Sequence, residues 1–278
     1  MGLSLKQKQY QEVDMSIDYE KHDHIGVFTL NNPPLNLLTP QTHRELYQLL
    51  RRFIADDDVH VGILTSAGER AFCGGDDIKS PRPQHDLETQ IERHLSPSNE
   101  DEEPEYPGWE REILRMQRFK PIIGAVNGVC VGQGLVYLLM LTDIRIAASH
   151  AEIGFPEISW GMGGAGGATR LSRFIPHTAA MYMLLTGEKI SAQRALEYTL
   201  VNEVVEKEEL MPRAMELARR IASHKPLAVR TEMEASYQCM DLSRNDALAY
   251  TSHLYRLQRT AVQSLPNLKD ELASNKEE

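Results

Sequence analysis

The chain has 278 residues and a formal net charge of −10, with 41% hydrophobic and 25% charged residues. Such a length sets a prior of about two domains, or one α/β domain with an appendage, and allows a full hydrophobic core. The acidic balance excludes a protein whose main task is to coat nucleic acid or an anionic membrane, because both select net positive surface.

The three cysteines, Cys73, Cys130 and Cys239, are too few for a disulfide framework and lack metal-ligand spacing, so a reducing cytoplasm is the expected location. Residues 1–14 are polar and mixed in charge and read as a solvated tail, without the apolar core of a signal peptide. The longest apolar run, Leu135–Leu141, falls far short of the ~20 residues needed to cross a bilayer, so a soluble protein is expected.

From Ile17 the chain alternates as a strand, turns over Lys21-His22-Asp23-His24 and alternates again over Ile25–Leu30, which predicts a hairpin. His22 and His24 are read as polar tip residues in preference to metal ligands, since no third ligand stands nearby. Pro33-Pro34 ends the second strand. Thr39 as N-cap, Pro40 at the first helical position and Leu46, Leu49, Leu50 and Phe53 on one face predict a helix. Asp56-Asp57-Asp58 closes it, and Val59–Thr65 reads as a buried strand. Residues 80–110, rich in proline and carrying the acidic run Asn99–Glu103, read as a long surface excursion around a short helix near Leu87–Leu95.

A helix over Ile113–Phe119 is expected next, then a strand over Ile122–Val126 and a glycine-bearing turn over Gly128–Gly134. A buried helix over Leu135–Leu141, a strand over Ile144–Ala147 and a glycine-rich loop over Ala151–Gly167 follow. Further helices are expected over Ala168–Phe174, His177–Leu185, Ser191–Glu197, Glu208–Ala222 and Asn245–Ala261. Alternating strands and helices followed by a helical last third predict an α/β fold with parallel strands.

Three segments have the makings of chemistry. Ala71-Phe72-Cys73-Gly74-Gly75-Asp76 follows a buried strand, and Gly128–Gly134 joins a strand to a buried helix. Each presents backbone N–H groups at a strand end, an arrangement suited to an oxyanion or a bound anion, with glycine letting the ligand approach the backbone. Either turn alone is a plain tight turn; two at successive strand ends weaken that reading. The third segment contains Glu157 among Phe155, Ile158 and Trp160, where desolvation would raise its pKa towards acid/base duty. Its Gly161, Gly163 and Gly166 match G-x-G-x-x-G, but no strand leads into them and the next acid, Glu188, stands too far along, so a dinucleotide fold is disfavoured. Cys73 reads as a buried apolar residue, with no histidine placed by sequence to activate it.

Together these segments resemble the crotonase, or enoyl-CoA hydratase/isomerase, superfamily. The resemblance is carried by Lys120–Gly128, Asp143–Ala147, Phe155-Pro156-Glu157, Arg170-Leu171 and Leu185–Ala192, in that order. It implies a spiral of repeated ββα units over residues 15–205 and a C-terminal helical trimerisation region over residues 206–278. It implies an acyl-CoA substrate, no cofactor or metal beyond the CoA of the substrate, and self-association as a homotrimer or dimer of trimers. It places a thioester enolate on the backbone N–H groups of Asp76 and Gln133, with Glu157 as acid/base. Gly75, Gly132, Gly134, Val136, Tyr137, Trp160 and Lys79 would line the substrate site, Lys79 towards the CoA phosphates and Trp160 towards a flat or short acyl group.

Hydratases of the family hold water between two glutamates. The first of these positions is Val136 here, or Tyr137 if the helix before Asp143 is one residue longer than usual. A single glutamate leans the expectation towards double-bond isomerisation, with hydration retained if Asp76, Tyr137 or the 80–110 segment supplies the second polar group. The alternatives are a crotonase-fold protein without catalysis, serving in binding or assembly, and an NAD-dependent dehydrogenase using Gly161–Gly166.

Overall fold

The computed structural model describes residues 16–81, 86–89, 91 and 108–263. The expected tail at 1–14 and most of the 80–110 excursion, with all of its short helix except helical residues 87–89 and 91, lie outside them.

The hairpin forms from β1 (Ile17–His22) and β2 (Ile25–Leu30), with Asp23 at φ 52° in the turn. His22 meets Glu20 and His24 meets the Asp58 carbonyl, so the two imidazoles serve separate partners. Helix α1 (Pro40–Ala55) starts where the cap residues place it: the Thr39 hydroxyl accepts from the Thr42 N–H, and the Thr42 hydroxyl accepts from the Thr39 N–H. Its buried face carries Leu46, Leu49, Leu50 and Phe53, and also His43.

The strands then divide between two sheets. Strands β3 (Val61–Ser66), β5 (Ile122–Val126), β7 (Ile144–Ala148) and β10 (Glu203–Val205) continue the hairpin into a six-stranded sheet of order β1-β2-β3-β5-β7-β10. It is parallel from β2 onward. The short strands β4 (Ala71–Cys73), β6 (Val129–Val131), β8 (Glu152–Gly154) and β9 (Ile190–Ser191) form a second sheet in that order. From β3 to β8 the chain thus sends one strand to the large sheet and the next to the small one. Because β4, β6 and β8 are parallel neighbours, the segments that leave their C-terminal ends are brought side by side.

Both faces of the large sheet are covered, as its nearly continuous apolar strands require. On one face Ile25, Val27, Val61, Ile63, Ile123, Ala125, Ile146 and Ala148, alternate residues of four strands, meet Leu210, Ala214 and Ala218 of α8 (Lys207–Ala222). The other face packs Phe28, Leu64, Ile122 and Val126 with α1 and with α3 (Gln133–Leu141). Fully buried side chains such as Phe28 and Phe53 each contribute on the order of 1.5–3 kcal/mol by leaving water.

Three helices differ from the sequence reading, and one of them, expected over Ala168–Phe174, is broken at Arg170, whose φ of 53° separates a turn ending at Ala168 from one starting at Leu171. The one expected over Ile113–Phe119 is α2 (Trp109–Arg115). The chain leaves the helix at Met116 because Arg118 is committed elsewhere: its guanidinium forms a bidentate pair with Asp143 at 2.7 and 3.1 Å. Between α4 (Ala165–Ala168), α5 (Leu171–Phe174), α6 (His177–Thr186), α7 (Ala192–Glu197), α8 and α10 (Arg244–Gln263) the structure adds an unexpected α9 (Pro226–Cys239). Its Tyr237 hydroxyl donates to the same Asp143 carboxylate that holds Arg118. The glycine-rich loop expected over Ala151–Gly167 contains β8, α4 and a 3-10 turn over Pro156–Trp160.

Helix α3 sits close enough on β4 that a Cβ at Gly134 would lie 2.5 Å from Cys73 Cβ and 2.9 Å from its carbonyl oxygen. Gly134→Ala is therefore expected to destabilise the fold by about 1–3 kcal/mol, an overpacking cost readable in chemical denaturation.

Candidate active site

Strand β4 ends in Gly74-Gly75, with Gly75 at φ 91°. The Gly75 carbonyl accepts from the Leu38 N–H at 2.9 Å, and the Asp77 N–H donates to the Leu38 carbonyl at 2.9 Å, making a parallel bridge between Leu38 and Asp76. Peptide groups alternate in direction along an extended chain, so the Asp76 N–H is turned away from Leu38. Strand β6 ends in Gly132, at φ 60°, which leads into α3. Gln133 is the first residue of that helix, where N–H groups have no acceptor within the helix and the dipole is positive. The two turns touch: a Cβ at Gly75 would lie 3.5 Å from the Gln133 nitrogen and 3.6 Å from Gly132 Cα.

The third segment arrives through β8, which pairs with β6, and the Gly132 N–H donates to the Gly154 carbonyl. Phe155 is buried, and the 3-10 turn that follows carries Glu157 to the glycines. A Cβ at Gly132 would lie 3.3 Å from Glu157 Oε1. Glu157 Oε2 is buried with no hydrogen-bond partner among the described residues. Burial pushes the Glu157 carboxyl above the usual carboxylate range, and the charge of nearby Asp76 adds to the shift. The three segments singled out in the sequence thus meet at one point, with two backbone amides and a carboxyl of raised proton affinity.

His43 belongs to the same place and was not read from the sequence. It is 0% exposed, with Nε2 3.1 Å from Asp76 Oδ1 and Nδ1 2.6 Å from the Tyr137 hydroxyl. Its signal was available: a titratable residue shares the buried face of α1 with Leu46 and Leu50. Tyr137 itself is buried, which raises its pKa well above normal, and it reaches towards His43. Val136 is buried within the core.

The remaining expected positions are spread out. Gly134 packs on Cys73, as described above. Lys79 is exposed, its N–H donating to Asp77 Oδ1 at 3.0 Å. Trp160 is 80% exposed, at the end of the 3-10 turn that carries Glu157. A Cβ added at Gly161 or Gly163 would meet no atom within 4 Å, and both glycines follow a 3-10 turn. The strand that a dinucleotide fingerprint needs is not there. Burial pushes the Cys73 thiol up to about 12, so it is no nucleophile at neutral pH.

Comparison with known proteins identifies the family. The sequence profile described as enoyl-CoA hydratase/isomerase matches residues 20–263. The chain is 37% identical over 243 residues to the (E)-benzylidenesuccinyl-CoA hydratase of Thauera aromatica, covering 86% of this chain and 89% of that one. It is 35% identical over 246 residues to the short-chain-enoyl-CoA hydratase of Clostridium acetobutylicum, covering 85% and 86%. The crystal structure of an enoyl-CoA hydratase from Bacillus anthracis superposes with a TM-score of 0.79 at 31% identity, covering 94% of this chain and 96% of that one. With two mainly parallel sheets joined by helices and a profile match over most of its length, the chain belongs to the enoyl-CoA hydratase/isomerase family.

Proposed function

We propose that the chain adds water reversibly across the Cα=Cβ bond of a 2-enoyl-CoA thioester. The observation that carries this reading is the meeting of Glu157 with the Gly75 and Gly132 turns. The N–H groups of Asp76 and Gln133 receive the thioester oxygen as it becomes an enolate oxyanion. One such donor typically contributes about 3–4 kcal/mol to the barrier. Glu157 exchanges the proton at Cα. Enolate chemistry on two backbone donors calls for no cofactor beyond the CoA of the substrate. Gly75 and Gly132 keep side chains out of the thioester's path, and Lys79, which is exposed, would serve the CoA phosphates.

Two observations support the rest of the reading. Exposed Leu227, Tyr237, Leu242, Leu248, Tyr255 and Leu257 on and beside α9 and α10 offer an apolar face for further copies of this chain, in a trimer or dimer of trimers. No helix among the described residues is long and apolar enough to cross a membrane, in keeping with a cytoplasmic enzyme. Double-bond isomerisation is the second reading, favoured by Val136 where a second glutamate would stand, because proton shuttling between carbons needs one carboxylate.

The test is a panel of enoyl-CoA esters followed both for loss of the 2-enoyl chromophore and for 3-enoyl to 2-enoyl conversion, with thermal melts in acetyl-CoA and in NAD. Hydration as the faster reaction is expected. Acetyl-CoA at a hundredfold excess over Kd should stabilise the native state by about 2.7 kcal/mol, and NAD should not. No turnover and no shift with CoA esters would leave the fold without this activity.

A further inference from the structure

A buried chain of polar side chains ends at the site, on the side where a second glutamate is missing. Asp76 Oδ1 lies 3.1 Å from His43 Nε2, and His43 Nδ1 lies 2.6 Å from the Tyr137 hydroxyl. With a neutral ring facing a carboxylate, which can only accept, the geometry suits a proton on His43 Nε2 donated to Asp76. Nδ1 is then the acceptor, and the Tyr137 O–H donates to it. The charge on Asp76 therefore fixes the direction of both bonds and the tautomer of the ring. The His43 side chain is 1% exposed and that of Asp76 33%, so the chain has a closed end in the core and an open end at the glycine turns.

From this geometry we propose that Asp76 is the second carboxylate of the site and that His43, backed by Tyr137, is the positioning residue that holds it towards Cβ of the substrate. This rests on the hydratase reading and deepens it. In the hydration direction the water oxygen bonds to Cβ, the Cα=Cβ pair moves into the thioester as the enolate, and the water's proton passes to Asp76. Glu157 then delivers its proton to Cα as the enolate collapses, and the proton held by Asp76 is returned to Glu157 through solvent. One water is consumed, and nothing is oxidised or reduced. Asp76 supplies a side chain and a backbone amide to one reaction: the amide to the oxyanion, the carboxylate to the water.

A second reaction separates the two carboxylates. Exchange of the α-proton of a saturated acyl-CoA with D2O needs Glu157 and the oxyanion donors but no base for water. Asp76→Asn keeps the backbone amide and removes the charge beside Glu157, and is expected to lower hydration by about 100-fold and exchange by no more than about tenfold. His43→Leu removes both bonds of the ring and is expected to lower kcat for hydration by about 30-fold, with KM and exchange within about threefold. His43→Gln keeps a donor near the Nε2 position and should recover at least about fivefold of that loss.

If the parent enzyme hydrates and Asp76→Asn or His43→Leu stays within about threefold in hydration, this inference falls alone. Hydration and exchange lost together, with a lowered Tm in both His43 variants, would reduce His43 to a structural residue and overturn its positioning role. If the parent neither hydrates nor exchanges, the hydratase reading falls and this falls with it.

Discussion

Glu157→Gln will lower hydration of an enoyl-CoA by about 10²–10⁴-fold, the range that a positioned general acid or base contributes. The substituted amide keeps the size of the carboxyl group and cannot deliver or take a proton, so KM should change little while kcat falls. The loss extends to α-proton exchange, which separates this residue from Asp76. A loss below about tenfold in steady-state kinetics would remove Glu157 from the reaction.

Protein stability should move the other way. Burial raises the Glu157 pKa in the folded protein, so the folded state holds this proton more tightly than the unfolded chain does. The resulting contribution to stability is full below the ordinary carboxylate pKa and is lost as pH rises through the raised one. Above that raised pKa, the ionised carboxylate is a burden on the fold, with Oε2 buried and unpartnered among the described residues. Glu157→Gln is therefore expected to melt no lower than the parent above that pKa, so activity lost there cannot be ascribed to misfolding. Activity of the parent should fall as pH rises through the Glu157 pKa. It should fall alike in both directions, because hydration consumes no net proton and its equilibrium constant does not depend on pH.

Local signals made much of the fold legible. Alternation and a polar tip located the β1–β2 hairpin, the Thr39-Pro40 start located α1, and glycines framed β5 and α3. What stayed hidden was decided by partners far along the chain. Helix α2 ends early because Arg118 reaches Asp143, and α9 is anchored through Tyr237 to that same carboxylate, although few of its own residues are buried.

The site divides in the same way. Strand ends and glycines pointed to three segments, and the pairing of β4, β6 and β8 makes them converge. His43 escaped because a histidine on an apolar helix face reads as core until its neighbours are known, and those neighbours, Asp76 and Tyr137, come from β4's turn and from α3. The alternation of Val136 and Tyr137 as substitutes for a glutamate had a third answer, since Val136 joins the core and Tyr137 turns to His43.

Gly132→Ala is the second substitution with a large expected effect, and it acts on geometry rather than on proton transfer. Gly132 sits at φ 60°, ψ −135°, a region that costs residues with a Cβ about 1–3 kcal/mol. Here the added methyl has neighbours as well: it would stand 3.3 Å from Glu157 Oε1 and 3.6 Å from Gly75 Cα. Relief of either contact displaces Glu157 or parts the two turns whose amides would receive the enolate. Losing one such donor typically lowers kcat by about 10²–10³-fold, and that is the expected loss. Gly68→Ala is the matched control. Gly68 lies at φ 80° with open space around a Cβ, so it shares the backbone strain but none of the contacts. It should lose about 1–2 kcal/mol of stability and keep its activity within about threefold. Equal losses of kcat in the two variants would mean that strain alone lowers turnover and that the close approach of Gly132 to Glu157 has no part in it.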